Sequence, residues 1–266
     1  MKIIAAGKTD LGKVRENNED NFAIEEKINL FIVADGMGGH ASGQVASKMA
    51  VDIVKERMAY AFDNNKIEHF ASQDYAHSKY ANYLASCIKI ANQAIFEAGQ
   101  QYPQNKGMGT TIVAALVTNN NLIVAHVGDS RLYLIRNRDI NPLTTDHSVV
   151  MEQVKKGLIS LEEAGKSDIQ NILTRALGID KTVEVDILEM PLNNSDYFLL
   201  CTDGLLKMVT DSQILETIQA LKDPGPICEK LVNMANDAGG KDNVTVIVAN
   251  IQKGFFVDLK KFFNKK

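Results

Sequence analysis

Residues 110–135 read TTIVAALVTNNNLIVAHVGDSRLYLI, and this stretch decides the fold class. Three short apolar runs, 110–118, 122–127 and 131–135, are parted by Asn119-Asn120-Asn121 and by Gly128-Asp129-Ser130. Their length and β-branched content predict strands, and the asparagine triplet predicts a tight turn. Outward from this stretch lie further strand signals. Residues 28–34 (INLFIVA) stop at Asp35-Gly36, 197–201 (YFLLC) lead into Thr202-Asp203-Gly204, and 242–251 (DNVTVIVANI) open on Asp242. Helical periodicity marks 43–62, 74–99, 147–157, 211–221 and 226–238. The first two helices follow one another with no strand between, so strands neighbour strands and helices neighbour helices. That pattern predicts a layered α+β domain rather than a doubly wound βαβ sheet.

The 266 residues are 45% hydrophobic and 23% charged, enough for one large core and far from a disordered or disulfide-built chain. With 29 basic against 33 acidic side chains, net charge −4, a whole-surface nucleic-acid binder is excluded. No apolar run is long enough to span a membrane, and the charged N-terminus does not read as a signal peptide. Cys87, Cys201 and Cys228 are odd in number and widely spaced, which predicts reduced, buried thiols and a cytoplasmic setting.

The placement of the acids carries the chemistry. Two apolar strands end in Asp-Gly, at Asp35-Gly36 and Asp203-Gly204; a third breaks at Asp129 and a fourth begins at Asp242. A buried strand fixes its end residues rigidly, and the glycine lets the chain turn away. Four aspartates converging on one rim would repel one another unless a cation neutralised them. An all-oxygen set suits Mg²⁺ or Mn²⁺ rather than zinc. Asp-Gly is also a common turn sequence, so each aspartate taken singly reads more readily as a turn residue than as a ligand.

Competing chemistries fail on the same letters. Gly36–Ala41 fits the dinucleotide fingerprint formally, but the acid-ended strand expected about 20 residues later is replaced by helical KERMAYAF. Six residues after the three cysteines stand Gln93, Lys207 and Met234, not the arginine of a cysteine phosphatase. No Asp-x-Asp and no His-Glu-x-x-His occurs.

Taken together and in order, VRENNEDNF (14–22), VADGMGGHASG (33–43), GMGTT (107–111), HVGDSRLYL (126–134), TDHSVV (145–150), LTRALG (173–178), CTDGL (201–205) and GGKDNVTVIV (239–248) resemble the motifs of the metal-dependent, type 2C serine/threonine protein phosphatases in their bacterial form. The resemblance implies a four-layer α-β-β-α sandwich, a central antiparallel β-sandwich flanked by helices, over residues 1–251. It implies hydrolysis of phosphoserine and phosphothreonine in proteins by a metal-activated water, opposing a serine/threonine kinase. Asp35, the Gly36 carbonyl, Asp203 and Asp242 would hold two core Mn²⁺ or Mg²⁺ ions, supported by Asp20 and less surely by Glu19. Asp129 would join Asp203 at a third, weaker ion. Arg15 would grip the phosphate, and His40 is the candidate for protonating the leaving group. His126 and His147 would serve structure, and Cys201 reads as a buried strand residue.

Two regions stand apart. Residues 146–173 correspond to the family's flap, and Ser167-Asp168 stand where bacterial relatives often carry His-Pro. In the tail, 252–266, Phe255, Phe256, Leu259, Phe262 and Phe263 fall on one helical face among lysines. Such a face would dock on its own domain or contact an anionic membrane or a partner through 253–266. Phosphorylated proteins and a cognate kinase are the expected partners, with the chain a monomer. The alternative class is a phosphoprotein-binding regulatory module without turnover, whose mark would be a lost ligand position.

Overall fold

The computed structural model describes residues 1–38, 42–64, 76–165, 167, 169 and 171–252. His40, Asp168 and the tail 253–266 lie outside the described residues.

Eleven strands among the described residues build two antiparallel sheets. The first is formed by β1 (Lys2–Asp10), β7 (Arg131–Arg136), β8 (Asp139–Pro142), β10 (Tyr197–Cys201) and β11 (Val244–Gln252), in the order β1-β11-β10-β7-β8. The second is formed by β2 (Asp20–Glu25), β3 (Leu30–Met37), β5 (Ile112–Thr118), β6 (Asn121–Val127) and β9 (Asp186–Pro191) in the order β2-β3-β5-β6-β9, with the short β4 (Gly109–Thr110) paired to β3. Strands β5 and β6 form a hairpin, and the turn residues Asn119 and Asn120 have φ of 51° and 63°. Asparagine tolerates that left-handed backbone, which is why the triplet reads as a turn.

Period-two alternation sorts the strand side chains into separate cores. Phe31, Val33, Val113, Ala115, Phe198, Leu200, Ile247 and Ala249 meet between the sheets, where the Phe31 and Phe198 rings make an edge contact at 5.2 Å. Leu30, Ile32, Ala34, Ile112, Ala114 and Leu116 point outward beneath α1 (Ser42–Asp63) and α2 (Lys79–Gln101). On the far side Leu199, Cys201, Val244, Val246 and Val248 pack under α6 (Asp211–Leu221) and α7 (Pro224–Asp237). The layers therefore run α-β-β-α, as the resemblance implies. Central strands covered on both faces explain the continuous apolar runs in the sequence.

Helix boundaries follow their caps. Ser78 accepts the Ala81 N–H ahead of α2, and Thr210 with Gln213 closes a capping box on α6. The helix expected over 147–157 is shorter: α3 covers Val149–Lys155, with Ser148 as its cap, and the chain leaves at Gly157 with φ 69°. A second short helix, α4 (Leu161–Ala164), follows it. This excursion is closed at its base by the Thr174 N–H donating to the His147 carbonyl (2.8 Å) and the Val149 N–H donating to the Ile172 carbonyl (2.9 Å).

Candidate metal centre

At one end of the sandwich both sheets deliver acids to the same place. Asp20 at the start of β2 is the register partner of Asp35 in β3. From the other sheet, Asp203 opens the four-residue helix α5 (Asp203–Leu206) just after β10, and Asp242 stands just before β11. Asp129 lies in the β6–β7 turn. Thr202, next to Asp203, bonds Asp20, Lys207 is shared by Asp203 and Asp242, and Asp129 lines one cleft with both, so the five carboxylates gather at this end.

Gly36 does not turn the chain away, since β3 continues to Met37. Its role is close approach. The Gly36 N–H donates to the Glu19 carbonyl at 3.1 Å, and a Cβ there would collide with the Gly43 backbone at the start of α1. Gly204 is likewise pressed against the Asn243 carbonyl, locking α5 to the approach of β11. Both Asp-Gly pairs thus fix the backbone beside the carboxylates.

The surrounding donors orient the acids only partly. Thr202 and Thr245 hydroxyls donate to Asp20 Oδ2 at 2.9 and 2.7 Å. The Asp35 carbonyl accepts from the Thr111 N–H at 2.9 Å and from the Thr110 hydroxyl at 2.8 Å. Arg15 Nη2 stands 2.8 Å from Asp242 Oδ1, and Lys207 Nζ lies 2.5 Å from Asp203 Oδ2 and 3.1 Å from Asp242 Oδ2. Two buried carboxylate oxygens, Asp20 Oδ1 and Asp203 Oδ1, have no hydrogen-bond partner among the described residues.

The electrostatics match that shortage. Burial, reinforced by neighbouring carboxylates, raises Asp20 and Asp129 to about 7 and lifts Asp35 well above the usual carboxylate range. Asp203 is also raised by burial, with Lys207 opposing the rise. Buried anions with unpartnered oxygens are costly, and a hard divalent cation relieves both the repulsion and the missing contacts. The residues present therefore fit a Mg²⁺ or Mn²⁺ cluster.

An open cleft of about 670 Å³ runs from this cluster to the excursion. Arg15, Asp129, Asp203 and Asp242 line one side, and Val150, Met151 and Leu161 the other. Asp146, at the root of the excursion, is gripped by both Arg131 Nε and Nη2 at 2.7 Å.

A second group, His126, His147 and Asp186, lies within 4.8 Å and has different bonding. His126 Nε2 bonds the Thr145 carbonyl at 3.0 Å, and His147 Nδ1 accepts the Gly128 N–H at 3.1 Å. His147 Nε2 faces Asp186 at 3.3 Å, and Arg175 pairs with the same carboxylate at 2.7 Å. The rings stack at 4.7 Å, and burial lowers both imidazoles. All three cysteines are free and buried; the Cys87 and Cys228 thiols are pushed up to about 12 by burial, and that of Cys201 is raised as well.

Sequence reading missed Thr202, Thr245, Asp146 and Lys207. The hydroxyls are flagged only by being polar letters in buried strand context, and Lys207 by standing one helical turn after Asp203.

Residues 8–244 match the family described as Protein phosphatase 2C. The serine/threonine phosphatase stp of Listeria innocua serovar 6a is 37% identical over 253 residues, covering 93% of this chain and 96% of that protein. The crystal structure of the Mycobacterium tuberculosis serine/threonine phosphatase PstP/Ppp superposes with a TM-score of 0.82 at 34% identity, covering 95% of this chain and 100% of that one. The catalytic domain of PstP in complex with two manganese ions gives 0.78 at 34% identity, covering 94% and 99%. With the family matched along most of its length and the acids gathered at one end of the sandwich, the chain belongs to the protein phosphatase 2C family.

Proposed function

We infer that this chain is a protein serine/threonine phosphatase that uses bound Mn²⁺ or Mg²⁺ and forms no phosphoenzyme. The observation that carries the reading is the five-carboxylate cluster in which the buried oxygens Asp20 Oδ1 and Asp203 Oδ1 lack partners among the described residues. Asp35, the Gly36 carbonyl, Asp203 and Asp242 would hold two ions, Asp20 would support them, and Asp129 with Asp203 would take a weaker third. Divalent ions so held supply a nucleophilic water near neutral pH. Arg15, its side chain 52% exposed at the mouth of the cleft, offers a planar fork to two phosphate oxygens. Threonine or serine alkoxide is a poor leaving group, and His40 is assigned to protonate it. The excursion over 146–173 would form the opposite wall and choose among phosphoprotein substrates.

A covalent route has no support among the described cysteines, whose buried thiols resist ionisation. Among the described residues no helix is long and apolar enough to cross a membrane, and three free cysteines fit a cytoplasmic enzyme opposing a serine/threonine kinase. The test is phosphate release from a phosphothreonine peptide with Mn²⁺, with EDTA, and with Asp203→Asn. Release that requires Mn²⁺ and is lost in both other arms is expected. No release from the Mn²⁺-loaded wild type would overturn the assignment in favour of a binding module.

A further inference from the structure

Lys207 has no part in the function argued above, yet its ammonium sits inside the acid cluster. It follows Asp203 by one turn of α5, and its N–H donates to the Asp203 carbonyl at 2.9 Å, so the side chain is folded back over that carboxylate. Nζ reaches Asp203 Oδ2 at 2.5 Å and Asp242 Oδ2 at 3.1 Å, with the side chain only 26% exposed. Asp242 Oδ1 is already engaged by Arg15 at 2.8 Å and by the Asn243 N–H at 3.0 Å. Both oxygens of Asp242 are therefore taken, while Asp203 keeps Oδ1 open. Lys207 is also the basic group whose charge opposes the rise at Asp129. No other lysine of the described residues makes an ion pair with these five aspartates.

We propose that Lys207 is a tethered cation that competes with divalent ions for the Asp203 carboxylate, so that it weakens ion binding there and steadies the cluster when metal is absent. The proposal rests on the metal reading given above. An ammonium within hydrogen-bond distance of Asp203 must move, or share the carboxylate with a like-charged ion, before that position fills. Lys207→Arg would keep the charge, and Lys207→Gln would remove it on a polar side chain one bond shorter.

The test is a Mn²⁺ titration of the EDTA-stripped full chain, with free ion counted by electron paramagnetic resonance, for wild type, Lys207→Gln and Lys207→Arg. The weakest class of site is expected to tighten at least about tenfold in Lys207→Gln and to stay at the wild-type value in Lys207→Arg. Stripped Lys207→Gln is also expected to melt below stripped wild type. Identical titrations for wild type and Lys207→Gln would overturn the proposal while leaving the metal site intact. No Mn²⁺ uptake by wild type would overturn the metal reading and this proposal together. A readout independent of any variant is the NMR signal of the lysine ammonium groups in wild type. One ammonium shifted by its carboxylate partners should change as Mg²⁺ fills the weakest site, and no change would count against the proposal.

Discussion

Strand β10 carries an aspartate beyond each end, and the two are treated in opposite ways. Asp196, just before the strand, is 2% exposed and fully engaged: Arg136 donates to its two oxygens at 3.0 and 2.6 Å, and the Asn193 N–H adds a bond at 2.7 Å. Asp203, just after the strand, belongs to a cluster of five carboxylates with two basic groups against them and keeps one oxygen unpartnered among the described residues. One end of the sandwich is electrostatically finished by the fold itself. The other is left short of positive charge, which fits its acids to take up a cation.

The largest expected effect tests the unfinished end. Asp35→Asn should lower Mn²⁺-dependent phosphate release by well over the roughly 100-fold that loss of an outer-shell partner costs. At the finished end the deficit should appear in stability. Asp196→Ala should lower the unfolding free energy by about 2–3 kcal/mol in urea titration, less than a fully buried pair because Arg136 keeps access to water. Its turnover per folded molecule should be unchanged. Thr245→Val removes one of two donors to Asp20 and should weaken Mn²⁺ binding about 10–100-fold by calorimetry, with a small stability change.

The mildest test is pH. In the metal-free protein Asp20 and Asp129 titrate at about 7, against about 3.9 in the unfolded chain. The folded state then holds protons that the unfolded state has released. Stability is therefore lost as pH rises from about 4 through 7, and melting of the stripped protein should fall across that window. Bound Mn²⁺ should flatten the slope. A stripped protein whose melting point rises over that window would break the comparison.

The layers were legible because central strands such as β3, β5 and β11 are covered on both faces and spell continuous apolar runs. Edge strands were not. In β1 (KIIAAGKTD) and β9 (DILEMP) most residues are half-buried, so neither gives a clean period, and β2 begins on an aspartate inside a polar stretch. Asp35, Asp129, Asp203 and Asp242 were visible as acids interrupting apolar strands. Their convergence was not, because it depends on β2–β3 and β10–β11 lying in different sheets that meet at one end. In the sequence the glycines after Asp35 and Asp203 read as turn-makers. The structure uses them for backbone contact with Gly43 and Asn243, a demand that no local pattern announces.

On this reading the acid cluster opposes the fold until a cation arrives. The direct measurement is the melting temperature of wild type and Asp35→Asn at about pH 8, each with EDTA and with Mn²⁺. Removing one buried charge should raise the melting point of the stripped protein, and Mn²⁺ should stabilise wild type far more than the variant. A stripped Asp35→Asn that melts below stripped wild type, with equal gains from Mn²⁺, would contradict the account.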